Sequence, residues 1–201
     1  MTGFDRGKLA TLVAEHELWV TSVGSQGHQL QLADADLAAA DLAGCDLSDA
    51  QLPGVNLTGA NLAEADLTAI ELTGATLVRA DMSSARLVKA TLDHVIASRT
   101  KLTRADLTRC SLIDADLTEA LLDGVTLRRT LLLGTNLSGA RMSGALLDRT
   151  IMTGAVLNGV DATGAHGSLL ASQGTAADDD DSVGRLRAAG AGPIEFAQPR
   201  A

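Results

Sequence analysis

The chain has 201 residues, a formal net charge of −9 and 46% apolar residues, yet only 1% of its residues are aromatic. This composition is too apolar for a disordered chain. The only aromatic residues are Phe4, Trp19 and Phe196, and all three lie outside residues 20 to 195. The composition therefore excludes an ordinary aromatic-rich core and a nucleic-acid reader that stacks bases on rings, and the negative charge disfavours bulk binding to nucleic acid.

The first segment of the chain, residues 5 to 20, has the apolar spacing of a short amphipathic helix. Residues 1–30 are therefore predicted to form an N-terminal helical cap and entry segment. No signal-peptide pattern precedes the helix and no apolar run approaches about 20 residues, so we expect a cytoplasmic protein. The residues expected to close the end of the fold are Leu9, Leu12, Val13 and Trp19.

A five-residue repeat follows. From Leu32 to Ala162 every fifth residue is Leu, with Met or Ala at only a few positions. Two residues before each of these centres from Leu37 onward, at positions 35 to 160, lies Ala, Val, Thr or Cys, and once the larger Ile70. A period of five fits neither an α-helix, on which the Leu side chains would spiral, nor a continuous strand, on which they would alternate between faces. The centres that are not Leu are Met82, Ala97, Met142, Met152 and Ala162.

The period fits a chain that bends after every short extended segment. The small residue and the Leu then point inward, the residue between them points outward, and the next two residues form a corner. Four such sides close a coil of 20 residues, and coils stack about 4.8 Å apart like neighbouring strands. We predict an all-β solenoid over residues 31–165, a quadrilateral β-helix of about seven coils. Its open end exposes strand edges, which explains the need for the N-terminal cap.

The repeat fades after Gly164, and residues 166–201 are expected to form a flexible acidic linker and a C-terminal tail. The run Asp178–Asp181 is not a promising metal site because consecutive carboxylates cannot all face one ion. Residues 182–201 either form a short helix through Val183, Leu186 and Arg187 or remain disordered.

Side chains twenty residues apart stack in one column of such a coil, and one column is basic. Stacked like charges repel, so stability does not explain this ladder. Two interpretations stay open, a partner-binding surface and a merely solvated face. The ladder consists of Lys89, Arg109, Arg129 and Arg149, with Arg99 and Arg104 on neighbouring corners.

Two further groups of outward residues are candidate surfaces. The outward carboxylates of the first coils are expected to support turns and to form an acidic face, made of Asp36, Asp41, Asp46 and Asp66. Near the C-terminal end, outward positions become apolar, which favours a dimer or partner surface unless the tail covers them. These apolar residues are Leu121, Leu131, Leu133, Leu146, Ile151 and Val156.

No catalytic constellation is apparent. The four histidines are scattered along the chain, and a histidine without a partner is not a sign of catalysis. Cys45 and Cys110 occupy small inward positions about 15 Å apart along the axis, too far for a disulfide, so we expect them to be apolar fillers. The sequence predicts no enzymatic activity, no cofactor and no metal.

The repeat resembles the pentapeptide-repeat family in units such as Ala60-Asn61-Leu62 and Thr135-Asn136-Leu137-Ser138-Gly139. The segment His16–Val20, with Gly24 and Gly27, is similar to the entry segment of many bacterial members. The resemblance implies a right-handed quadrilateral β-helix, and members often form a homodimer through the C-terminal end. Known members bind type II topoisomerases such as DNA gyrase and shield them from quinolones or other poisons, some by mimicry of duplex DNA.

Two functions follow from the residues and the resemblance together. The leading hypothesis is a non-catalytic, rigid protein-interaction scaffold that binds a protein partner. The alternative is a gyrase-binding protein whose acidic face stands in for phosphates. Three features depart from that alternative: acidic residues concentrate in the first third of the repeat, the middle carries the ladder, and the centres lack Phe.

Overall fold

The computed structural model describes residues 5–170, Leu186 and residues 194–196. Its elements are helix α1 (Arg6–Thr21) and the strands β1 (Gly167–Leu169) and β2 (Ile194–Phe196). Between α1 and β1 the chain winds into a four-sided coil, because parallel bridges join each outward residue to the one twenty positions later. We number the sides by their first outward residue, side 1 from Gln31, side 2 from Asp36, side 3 from Asp41 and side 4 from Asp46. Corners 1 to 4 follow the sides of the same number.

The interior of the coil is a continuous column of Leu and small side chains. In the unit around Leu62, that residue and Ala60 are buried, whereas Asn61 points outward. Even the larger Ile70 is only 1% exposed, so the narrow interior accommodates it. The inward threonines place their hydroxyls on main-chain carbonyls of the preceding coil, as Thr130 Oγ1 does on the Leu107 oxygen at 2.7 Å. The predicted spacing of inward and outward residues is therefore present throughout the described coils.

The outward aspartates stabilise the corners beside them. The carboxylate of Asp46 accepts a hydrogen bond from the Ser48 amide at 3.0 Å, and Asp66 does the same with Thr68. Such bonds to the amide two residues on are a recurrent way of fixing a turn. These contacts agree with the predicted turn-supporting role of the outward carboxylates.

Helix α1 packs across the first coil. Its N-terminus is capped by Asp5, whose carboxylate accepts the Gly7 amide at 2.8 Å. Leu9 and Val13 are buried in the same cluster as the coil interior, and Leu12 packs against that cluster. Trp19, expected beside them as a cap residue, is half-buried.

His16 is the fully buried centre of the cap. Its Nδ1 accepts a hydrogen bond from the Leu30 amide at 3.0 Å, and its ring stacks on Trp19 with centroids 5.7 Å apart. Burial lowers the pKa of the imidazole, which is consistent with a neutral ring that accepts through Nδ1.

The C-terminal end differs from the predicted linker. His166 bridges to Leu146, β1 continues along the coil, and β1 pairs in parallel with β2. Leu186 is buried in the core cluster. The coil therefore continues through residues 166–170, where its last edge becomes a strand that pairs with β2. The run Asp178–Asp181, Val183 and Arg187 lie outside the described residues.

Candidate protein-interaction site

The basic ladder, Lys89, Arg109, Arg129 and Arg149, lies along corner 4. Each of these residues is the second residue of its corner and has a φ between 55° and 63°, in the left-handed region. The main chain is held there by bonds to the next coil, since the Arg109 amide donates to the Arg128 carbonyl and the Arg129 amide to the Asp148 carbonyl, both at 2.8 Å. The ladder therefore presents its cations from a fixed backbone.

The charges of the ladder are not neutralised by the coil. Among residues 5–170, no ion pair involves any of the four ladder side chains, and three of the four residues are exposed, Arg149 being half-buried. Stacked cations without counter-ions repel one another. The cations on the sides and Arg99 on corner 2 do find carboxylates: Arg86 with Asp66, Arg99 with Glu119, Lys101 with Asp81 and Arg141 with Asp123. Arg79 and Arg104 also make no ion pair within residues 5–170, but they do not stack on one another.

Corner 4 also differs from the other corners in having no glycine. Its second positions are Asp49, Ala69 and then the four ladder residues, all with positive φ. Each of the other corners uses glycine in several coils, for example Gly54 on corner 1, Gly59 on corner 2 and Gly44 on corner 3. Because a left-handed φ favours glycine, each ladder residue keeps a long side chain at a backbone cost.

The two other predicted cations do not join the ladder. Arg104 is exposed on corner 3, and side 4 separates it from corner 4. Arg99 lies on corner 2, diagonally across the coil, with Nε 2.7 Å from a Glu119 carboxylate oxygen. The hydrogen bond from Arg99 lowers the pKa of Glu119, as expected for an ion pair.

The predicted apolar residues divide into a group beside the ladder and two outliers. Leu131 and Ile151 stack on side 1, Leu133 follows on corner 1, and Leu146 lies on side 4, so Leu131, Ile151 and Leu146 flank Arg129 and Arg149. Leu121 is on side 3, in the column of Lys101 and Arg141, and Val156 is on side 2. One continuous patch of all six residues is therefore not formed.

The four residues of the predicted acidic face also lie on different sides of the coil. Asp36 lies on side 2, Asp41 on side 3, and only Asp46 and Asp66 stack together, on side 4. Partial burial raises the pKa of Asp66, but the hydrogen bonds from Thr68 and the Arg86 guanidinium outweigh it and lower the pKa overall. The first coils are acidic around much of their circumference and present no single anionic stripe.

The histidines and cysteines do not assemble into a reactive centre. His28, His94 and His166 are exposed at separate places, and no group of three or more metal-ligating side chains occurs in the described part of the chain. Both cysteines are free, and burial raises the pKa of each thiol. No described helix is long and apolar enough to cross a bilayer.

A groove of about 380 Å³ runs between α1 and the first coil. Its walls are mostly apolar, with Leu9 and Val13 facing Leu42 and Cys45. No pattern in the sequence indicates this groove, because the groove depends on how α1 packs on the coil.

Two features of the ladder are visible in the sequence but are not among the predictions above: the lack of glycine on corner 4 and the apolar residues on the adjoining sides. Positions 49, 69, 89, 109, 129 and 149 lack glycine, whereas the equivalent positions of the other corners contain it repeatedly. The positions of Leu131, Ile151 and Leu146, two residues after or three before a ladder arginine, already put them on the adjoining sides.

The family model and one solved structure agree with this architecture. The family model for pentapeptide repeats matches eight copies within residues 31–166. QnrB1, a plasmid-mediated fluoroquinolone resistance protein, has a similar solved structure, with a TM-score of 0.65 and 18% identity over 70% of this chain and 72% of its own. HetL, a pentapeptide repeat protein involved in heterocyst differentiation regulation in Nostoc sp. strain PCC 7120, matches at 25% identity over 74% of this chain and 94% of its own, with a TM-score of 0.27.

Comparison with curated proteins finds no match. At 18% identity, the likeness to QnrB1 is a likeness of fold. The family model covers well over half of the chain, and pentapeptide-repeat proteins fold as right-handed quadrilateral β-helices like the coil seen here. The chain belongs to the pentapeptide-repeat family.

Proposed function

We propose that the protein is a non-catalytic interaction scaffold that binds a protein partner through the basic ladder on corner 4. The observation that carries this proposal is the stack of cations that makes no ion pair within residues 5–170, each held at a positive φ. Positive φ also occurs at solvated corner residues such as Arg79 and Arg104, but an ordinary solvated face would not need four stacked cations that repel one another. A partner that supplies carboxylates accounts for the stack.

The rigidity of the coil supports binding. The main-chain amide of each rung donates a hydrogen bond, that of Lys89 to the Thr108 carbonyl at 3.0 Å and that of Arg149 to the side-chain Ser168 Oγ at 3.0 Å. A preformed surface loses little conformational entropy when it binds, so more of the contact energy appears as affinity. The scattered histidines, the buried Cys110 and the half-buried Cys45 support a role without catalysis.

Differential capture tests the proposal. The experiment compares three immobilised full-length proteins: the wild type, the ladder variant Arg109→Glu/Arg129→Glu, and a control, Arg79→Glu/Arg104→Glu. The control changes the same number of exposed corner arginines, also at positive φ, but on corners 2 and 3. We expect a partner that the wild type and the control retain and the ladder variant loses. Equal retention by all three proteins would exclude the ladder as the contact surface.

A second candidate function is binding to a type II topoisomerase. The acidic first coils favour it, since Asp46 and Asp66 stack on side 4 and Asp36 and Asp41 add charge on the neighbouring sides. The fold likeness to a fluoroquinolone resistance protein raises the same possibility for this chain. A supercoiling assay with purified gyrase and a fluoroquinolone tests it. Protection that Asp46→Asn/Asp66→Asn weakens supports this function, whereas unchanged inhibition rejects it.

A further inference from the structure

The ladder has a length and a spacing that select among anionic partners. We propose that corner 4 binds an acidic amphipathic α-helix lying along the axis of the coil, with one carboxylate per helical turn facing the ladder. This inference rests on the proposed scaffold function and names the chemistry of its partner.

The spacing of the rungs favours a helix. Neighbouring coils are joined by parallel bridges, so successive ladder residues are about 4.8 Å apart along the axis. Carboxylates at positions i, i+4, i+7 and i+11 of an α-helix share one face and repeat about every 5.4 Å. Over the three steps from Lys89 to Arg149 the two repeats differ by roughly 2 Å in total, which long side chains can accommodate.

An extended strand fits the ladder less well. Its alternate side chains, which share one face, repeat about every 6.6 Å. Over the same three steps the mismatch grows to roughly 5 Å, about one whole rung. An acidic strand along the axis would therefore leave at least one ladder cation without a carboxylate.

The residues beside the ladder indicate that the partner helix is amphipathic. Arg129 and Arg149 lie between Leu131 and Ile151 on side 1 and Leu146 on side 4. The earlier rungs, Lys89 and Arg109, have polar neighbours on the same sides. A helix with apolar side chains next to its carboxylates near one end would bury the apolar group while its charges meet the cations.

The residues on the N-terminal side of the ladder argue against a nucleic acid as the partner. Corner 4 continues towards the N-terminus as Ala69 and Asp49, and side 4 carries Asp46 and Asp66 beside these two residues. A long polyanion along this corner would run from the four cations onto these carboxylates. A helix of about four turns ends before it reaches them, because four turns span about 22 Å.

Two labelled synthetic helices of identical composition test the proposal by fluorescence anisotropy with the full-length protein. The first, the face-acidic peptide, has Glu at i, i+4, i+7 and i+11 with Leu beside the last two; the second has the same residues spread around the helix. We expect the face-acidic peptide to bind at least about tenfold more tightly. Equal affinity for the two peptides would overturn the helix proposal.

Matched variants locate the binding surface. Arg109→Gln/Arg129→Gln is expected to weaken binding of the face-acidic peptide roughly tenfold, as two lost ion pairs would. The control Arg79→Gln/Arg104→Gln, with the same charge change on corners 2 and 3, is expected to leave the affinity unchanged. An equal loss in both variants overturns the assignment to corner 4.

The remaining outcomes separate this inference from the scaffold function. If a single-stranded oligonucleotide of the same charge displaces the peptide as effectively as unlabelled peptide, the site is a general polyanion site and the helix proposal fails. If ladder charge reversal removes a captured partner but the face-acidic peptide does not bind, the scaffold function stands and the helix proposal fails.

Discussion

The second residue of each corner determines what the coil can display. A left-handed φ costs an L-residue about 1 kcal/mol or more, and glycine avoids that cost. On corners 1, 2 and 3 glycine occupies this position in several coils, and on corner 4 it does not. The four ladder cations are thus maintained where the backbone would favour glycine and where they repel one another, which is the residue-level basis for assigning them a binding role.

The inward threonines provide a test of the coil interior at the same scale. Thr130 Oγ1 donates to the Leu107 carbonyl at 2.7 Å, and that oxygen also accepts the Cys110 amide at 3.0 Å. Thr130→Val keeps the shape but removes one bond, so we expect the free energy of unfolding to fall by about 1 kcal/mol. Chemical denaturation measures it, with the half-buried Thr126→Val on side 4 as the control. An equal change in both variants would contradict this account of the interior.

At the scale of the element, the buried imidazole of His16 holds helix α1 against the coil. The folded form favours neutral His16, because burial lowers its pKa from the ordinary value of 6.5. The unfolded chain then binds more protons than the folded chain below pH 6.5. The stability from this group is fully present above pH 6.5 and is lost as the pH falls towards the lower folded pKa.

A pH series tests the role of His16 directly. We expect the wild-type melting temperature to fall between pH 7.5 and pH 5.5, and His16→Gln to reduce this dependence while lowering stability at pH 7.5, because the Leu30 amide contact and the ring packing change. His28→Gln, which removes an exposed imidazole, serves as the control. An identical pH dependence in the wild type and His16→Gln would refute the buried neutral imidazole.

The elements also show which parts of the fold can be predicted from the sequence. The period of five predicts the sides, the inward residues and the columns, because each follows from a local rule repeated without insertion. The Leu30–His16 contact and the pairing of β1 with β2 join segments that carry no repeat, so nothing in the local pattern predicts them. The twenty-residue period itself assigns Asp36, Asp41, Leu121 and Val156 to other sides, so the division of the acidic and apolar groups can be read from the sequence.

For the whole molecule, charge is arranged along the axis of the coil. Residues 31–75 carry acids and no bases, and the ladder begins at Lys89. A partner held by the ladder is bound through exposed charges, and raising the ionic strength from about 0.01 M to 0.15 M shortens the screening length from about 30 Å to about 8 Å. We expect the affinity of the wild type for its captured partner to fall over this range and that of Arg109→Gln/Arg129→Gln to fall much less. Equal salt dependence in the two proteins would place the charged contacts elsewhere.

The most direct test of the central claim measures stability and binding on the same variants. Arg109→Gly/Arg129→Gly removes two cations and relieves two left-handed residues, a gain partly offset because glycine loses more backbone entropy on folding. The free energy of unfolding should therefore rise by about 1 kcal/mol while affinity for the ladder-dependent partner falls at least about tenfold. The control Arg79→Gly, also at a positive-φ corner, should gain stability and keep the affinity. Unchanged partner affinity in Arg109→Gly/Arg129→Gly would contradict the assignment of corner 4 as the contact surface.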